Sequence, residues 1–166
     1  MSIVLTRIDT RLIHGQVLEA WVPYSHADCI VVANNDVAGN PLKKMMMEAS
    51  VPSRLRVAIG TVDEIVELFA NGEFDGRKTL LLFATTEDAC LAYRRGLLFA
   101  NLNLGNLHAG AGKQRLSCTL FLGEDDISNL QSLEDVGVNI VARCIPADSE
   151  RSWQKLIPHR KGGECS

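Results

Sequence analysis

From residue 7 the chain reads Arg-Ile-Asp-Thr-Arg-Leu-Ile-His-Gly-Gln, so two guanidinium groups, a carboxylate and an imidazole crowd into one short stretch. Each type suits the handling of an anionic group. Arg7 and Arg11 are planar donor forks that match phosphate oxygens. His14, with an unperturbed pKa of about 6.5, is largely neutral at pH 7 and therefore nucleophilic. Asp9 can pair with an arginine or hold one ring nitrogen, which decides which nitrogen is left to attack. A neutral imidazole among phosphate-binding groups reads as a phosphoryl acceptor. Any one of these residues alone would more often be a solvated loop side chain; the argument rests on their occurring together.

The elements around this stretch would put it where α/β proteins place ligands. The β-prone run 2–6 precedes it, and Val17, Leu18 and Trp21 follow at helical spacing, with Pro23 expected to end that helix. A helix beginning near His14 or Gly15 would offer unpaired N–H groups and a positive dipole end to an anion, with Gly15 and Gln16 as the phosphate-binding positions. Further on, apolar runs of strand length at 29–33, 55–59, 79–83, 101–104, 116–122 and 138–145 alternate with helical patterns starting near Pro41, Thr61, Thr86, Gly123 and Asp148. Strand and helix in alternation predict an α/β fold, an open twisted, mainly parallel sheet with helices on both faces. Ligands would then sit beyond the carboxyl ends of the strands, where the loops after the first two strands meet.

The chain has 166 residues, a one-domain length, with 46% hydrophobic and 22% charged residues. We expect one domain over 1–157 and a polar, disordered tail over 158–166. A net charge of −3 argues against nucleic acid as the main partner, and no run has the length of a membrane span. Nor does a signal peptide precede the first strand, so the expected location is the cytoplasm. Cys29, Cys90, Cys118, Cys144 and Cys165 form no CxxC pair; the first four lie in apolar runs and are expected to act as small hydrophobes. The four histidines are not at metal-ligand spacings, so neither metal nor other cofactor is expected. The methionines Met45, Met46 and Met47 could form a binding surface, but core packing of the buried ones is the expectation. The glycine-rich segment 105–113 fails as a P-loop, because Leu107 stands where glycine is needed and Gln114 where Ser or Thr is needed.

The stretch 7–17, with Trp21 after it, resembles the phosphorylation-site loop of the IIB subunits in the mannose/fructose/sorbose family of the bacterial sugar phosphotransferase system. The blocks 35–42 and 105–108 followed by Gly112-Lys113, and then Gly137-Val138-Asn139 and Pro146, recur in the family's order, so the resemblance spans nearly the whole chain. It implies an open α/β fold with one antiparallel edge strand. It also implies that His14 accepts a phosphoryl group through Nδ1 from a phosphorylated IIA protein or domain and passes it to a sugar held by membrane subunits IIC and IID. Arg7 and Arg11 would neutralise charge on the transferring group, with Asp9 ordering the arginines. The protein would then be a transferase attached peripherally to the inner face of the membrane through IIC and IID, with room for a homodimer. Asn35 and Asn40, where relatives often carry aspartate, and His108 form the candidate rim for partner contacts. The alternative of another class is a regulatory phosphocarrier whose phosphorylation is sensed without sugar transport. A third is a small α/β binding module without phosphotransfer.

Overall fold

The computed structural model describes residues 3–158. A seven-stranded sheet runs through it in the order β3-β2-β4-β1-β5-β8-β9, formed by β1 (Ile3–Ile8), β2 (Cys29–Ala33), β3 (Arg56–Gly60), β4 (Thr79–Phe83), β5 (Asn101–Leu104), β8 (Asn139–Ala142) and β9 (Arg151–Ser152). Every pairing is parallel except that of β9 with β8. The predicted α/β architecture is therefore present, and the antiparallel edge strand is β9.

Two apolar layers explain why the central strands are continuous hydrophobic runs. Every residue of β2 and β4 is buried. Ile30, Val32, Leu80 and Leu82 face Val17, Trp21, Val22 and Val37, while Val31, Leu81 and Phe83 face a larger cluster with Ile65, Phe69, Ala89 and Leu130. Alternate side chains thus feed opposite faces, as the pleat requires. The second layer is supplied by α4 (Val62–Ala70), α5 (Thr86–Arg94) and α6 (Glu124–Asp135). Local signals set their starts: Thr61 and Glu64 form a reciprocal capping box, and the Thr85 side chain accepts from the Asp88 amide.

Several boundaries differ from expectation. Pro23 does not end the first helix. Winding begins at Gly15, passes through a π-helical stretch, Val17–Trp21, and continues as α1 (Val22–Ser25). The Val22 amide bonds to the Val17 carbonyl, five residues back. This wider turn accommodates a proline that would clash in an α-helical interior. An unpredicted turn of helix, α2 (Asn35–Ala38), occupies the second loop, because the Asn34 side chain caps the Val37 amide at 2.9 Å. The run 116–122 is not one strand: β6 (Gln114–Arg115) and β7 (Phe121–Leu122) form a small hairpin outside the main sheet, with Cys118 exposed in its turn. The last strand stops at Ala142 rather than residue 145, since Arg143 and Cys144 leave the sheet to cover the site described below. In α3 (Pro41–Ser50), Met47 packs against the core but Met45 and Met46 are 60% and 64% exposed. These two methionines are surface residues because the helix rests on the sheet through one narrow edge only. The expected tail lies outside the described residues apart from Pro158.

Candidate active site

The carboxyl ends of β1 and β5 are adjacent in the sheet, and the site is built on that edge. Where β1 ends, the Leu12 amide bonds to the Asp9 carbonyl at 2.9 Å, closing a tight turn. Leu12 takes the left-handed conformation, φ 56°, which an L side chain enters at a cost of roughly 1–2 kcal/mol. Its burial among Ile13, Val17 and Trp21 offsets that cost. With Leu12 and Ile13 held inside, Arg11 and His14 emerge on the outer side of the loop.

Asp9 is the hub. It is fully buried, and its Oδ2 accepts from Arg7 Nη2 at 3.2 Å, from Asn106 Nδ2 at 3.0 Å and from His14 Nε2 at 3.1 Å. Its Oδ1 accepts from the Arg11 amide at 3.1 Å, with Arg11 Nε at 3.6 Å. Burial would raise the carboxyl pKa, but hydrogen bonds from His14 and Asn106 and the charge of Arg7 outweigh it and hold the pKa far below the usual carboxylate range. Asp9 is thus an anion at any physiological pH. As an anion it accepts from Nε2–H, so the ring is held through Nε2 and Nδ1 is turned away from Asp9. The His14 side chain is 15% exposed, enough to be approached from one side.

The two arginines, alike in sequence, are placed differently. Arg11 is 41% exposed at its side chain, with Nη2 bonded to Gln16 Oε1 at 3.3 Å. Arg7, expected as a second fork on the phosphate, lies within β1 and is wholly buried. Its Nη1 donates to Asn103 Oδ1 and to the Arg143 carbonyl, and its Nη2 to Asp9 and to the Cys144 carbonyl at 3.0 Å. The guanidinium also lies 4.6 Å from the Trp21 ring centroid. Burial lowers the Arg7 pKa, a loss that Asp9 partly counters. Arg7 acts on the loop from beneath, through Asp9. Gly105 is the reason it fits: a Cβ there would collide with the guanidinium.

Of the remaining expected residues, Gly15 is exposed at the start of the helix and Gln16 reaches Arg11. His108 is exposed on the rim of an open cleft of about 740 Å³ that also touches Thr10 and Lys113, and its amide donates to Thr10 Oγ1 at 3.2 Å. Asn35 and Asn40 lie beyond β2, with hydrogen bonds directed elsewhere: Asn35 Oδ1 accepts from the Val62 amide and Asn40 Oδ1 caps α3 at the Lys43 amide. Sequence reasoning gave no role to Asn103, Asn106 or Cys144, whose contacts to Arg7 and Asp9 span about a hundred positions or more. Only Asn106 was hinted at, as a member of the block 105–108.

The family model for the sorbose-subfamily IIB component of the phosphotransferase system matches residues 3–164. The chain belongs to this family. Among IIB relatives, the N-acetylgalactosamine-specific enzyme IIB component 2 of Escherichia coli (strain K12) is 31% identical over 156 residues, covering 94% of this chain and 99% of that protein. The fructose-specific EIIB component of Bacillus subtilis (strain 168) is 27% identical, covering 95% and 96%. The crystal structure of the IIB domain of the sorbose permease from Klebsiella pneumoniae superposes with a TM-score of 0.90 at 28% identity, covering 96% of this chain and 98% of that one. In the mannose-specific EIIAB component of E. coli (strain K12), by contrast, the chain matches 49% of the length, at 26% identity. As a IIB component of the sorbose/mannose family the chain is a phosphocarrier and a transferase of that system.

Proposed function

We propose that His14 is the phosphoryl carrier, and that it receives the group from a phosphorylated IIA partner and delivers it to a sugar held by membrane IIC and IID subunits. The observation that carries this reading is the Asp9–His14 contact, which secures Nε2 at 3.1 Å and leaves Nδ1 as the nucleophile. In the first step the Nδ1 lone pair forms the new P–N bond while the electrons of the old one return to the donor histidine. In the second, a sugar hydroxyl oxygen forms a new P–O bond as the P–N bond breaks, the P–N pair returning to Nδ1 and the hydroxyl proton passing to water. Little covalent chemistry is asked of the protein, so its contribution is placement and charge. Arg11 supplies the charge at the loop surface. Arg7 supplies rigidity and a buried positive field behind Asp9.

The link to a IIA donor is supported by the EIIAB name of the mannose relative. The names of the relatives, which specify fructose, sorbose, N-acetylgalactosamine and mannose, support a hexose or amino-sugar acceptor. Among the described residues no helix is long and apolar enough to cross a membrane. Donor and acceptor of the kind proposed, a IIA protein and membrane IIC and IID subunits, would have the protein work on the cytoplasmic side and meet the bilayer through its partners.

The test is to incubate the protein with phosphoenolpyruvate, the general phosphotransferase proteins and a IIA protein. One phosphate, labile in acid and stable in base, is expected, and none in His14→Ala. Label persisting in that variant, or found on Ser, Thr or Asp, overturns the assignment.

A further inference from the structure

We infer that Asn106 is a positioning residue for phosphoryl transfer, coupling the carboxylate that holds His14 to the side chains that orient Arg11. The inference rests on the phosphocarrier reading above and deepens it. Asn106 is only 8% exposed, and its side-chain nitrogen reaches two acceptors: Asp9 Oδ2 at 3.0 Å and Gln16 Oε1 at 3.5 Å. These acceptors belong to the two halves of the site. Asp9 Oδ2 is the atom that receives the His14 Nε2 proton, and Gln16 Oε1 is the atom that receives Arg11 Nη2. The backbone of Asn106 adds a third tie, since its carbonyl accepts from both the amide and the hydroxyl of Thr10, at 2.8 and 2.9 Å. One residue on the loop after β5 thereby fixes the loop after β1 at Asp9, Thr10 and Gln16.

The amide chemistry matters as well as the anchoring. Asn106 gives Asp9 a neutral donor on the same oxygen that serves His14, so the carboxylate is shared and pulls less strongly on the imidazole proton. Without that donor Asp9 becomes a stronger acceptor for His14 alone, favouring the imidazolium, which cannot attack phosphorus. Asn106 and His14 thus share one acceptor atom, Asp9 Oδ2. The other charged or titratable groups at this cluster are Arg7 and Arg11, with Cys144, whose Sγ accepts from Gln16 Nε2 at 3.8 Å, Arg143 on the far side of Arg7, and His108 beyond Thr10. None of these is changed in the variants below.

The experiment compares the parent with Asn106→Ala and Asn106→Asp in two measurements. In the first, imidazole nitrogen NMR of the unphosphorylated proteins follows the protonation of His14 against pH. We expect the midpoint to rise from parent to Ala and again to Asp, where a carboxylate replaces the donor. The second measures the transfer rate from a phosphorylated IIA protein against pH. We expect the acidic limb to move in the same order, and the plateau rate of Asn106→Ala to fall at least tenfold because Arg11 loses the partner of its partner. A merely structural role would lower thermal stability in both variants without moving either the His14 midpoint or the acidic limb; that result overturns the inference. So does transfer by Asn106→Ala at the parent rate. Failure of the parent itself to accept phosphate overturns the carrier reading instead, and the titration then decides the coupling alone.

Discussion

Arg7 and Arg11 show how far residue type falls short of residue role. Arg11 is half in solvent and bonded to another flexible side chain, whereas Arg7 has no exposed surface and donates to two side chains and two carbonyls. The same substitution should therefore fail in different ways. Arg11→Lys keeps the charge but loses the planar fork, so transfer should slow by more than tenfold, equivalent to over ~1.4 kcal/mol of transition-state stabilisation, with melting unchanged. Arg7→Lys cannot reach all four acceptors, and stranding buried carbonyls costs about 1–3 kcal/mol each. That variant should lose several degrees of melting temperature as well as activity. Calorimetry beside the transfer assay separates the two, and a stable, slow Arg7→Lys would show that Arg7 serves transfer without holding the fold. The cluster at 7–14 was legible as anion chemistry because its residues are neighbours in the chain. The division of labour was not, since Arg7 is buried by Asn103, Arg143 and Cys144, which the sheet brings up from far along the sequence.

At the scale of elements, signals carried within one turn were readable and those carried between segments were not. Thr61 with Glu64, and Asn71 before the positive φ of Gly72, mark both ends of α4 from sequence alone. Pro23 misled because its effect depends on the winding before it, and a π turn removes the clash. The three consecutive methionines of α3 could not be told apart in sequence, and it is the docking of the helix that buries Met47 and exposes Met45 and Met46. The glycine-rich loop was the most instructive case: it fails as a P-loop, and its first glycine, Gly105, instead makes room for the Arg7 guanidinium, with its backbone amide bonded to the Ile8 carbonyl at 2.9 Å. Gly105→Ala should therefore act as a hidden Arg7 variant. Its φ is not in the left-handed region, so no backbone strain is added, and the whole effect comes from displacing the guanidinium. We expect transfer to fall at least tenfold, with loss of melting temperature, while Gly110→Ala, in the same loop and with only ordinary contact to Lys113, should leave both unchanged. Equal effects at the two glycines would mean that loop flexibility, and not space for Arg7, is what the segment supplies.

For the whole molecule, the question is whether phosphorylation changes shape or only charge. The site stands on the edge shared by β1 and β5, and β1 is paired along its length with β4, which is buried on both faces. Arg7 pins the strand to Arg143 and Cys144, and Asn106 pins the loop to the segment after β5. A carrier that meets a donor in one state and an acceptor in the other gains from such stiffness, because each partner then meets a preformed surface and pays little to order it. The new charge at Nδ1 should be felt by Arg11 and Gln16, which can turn, and by the amides of the loop, but should not propagate through close-packed apolar layers. The expected outcome is that, in amide NMR spectra of the two forms, the large shift changes fall within residues 9–18, 105–108 and 143–144, while α4, α5, β2 and the edge strand β3 stay in place. Large changes reaching α4 or α5 would show a second conformation of the fold, and transfer would then depend on a population shift as well as on the His14 loop.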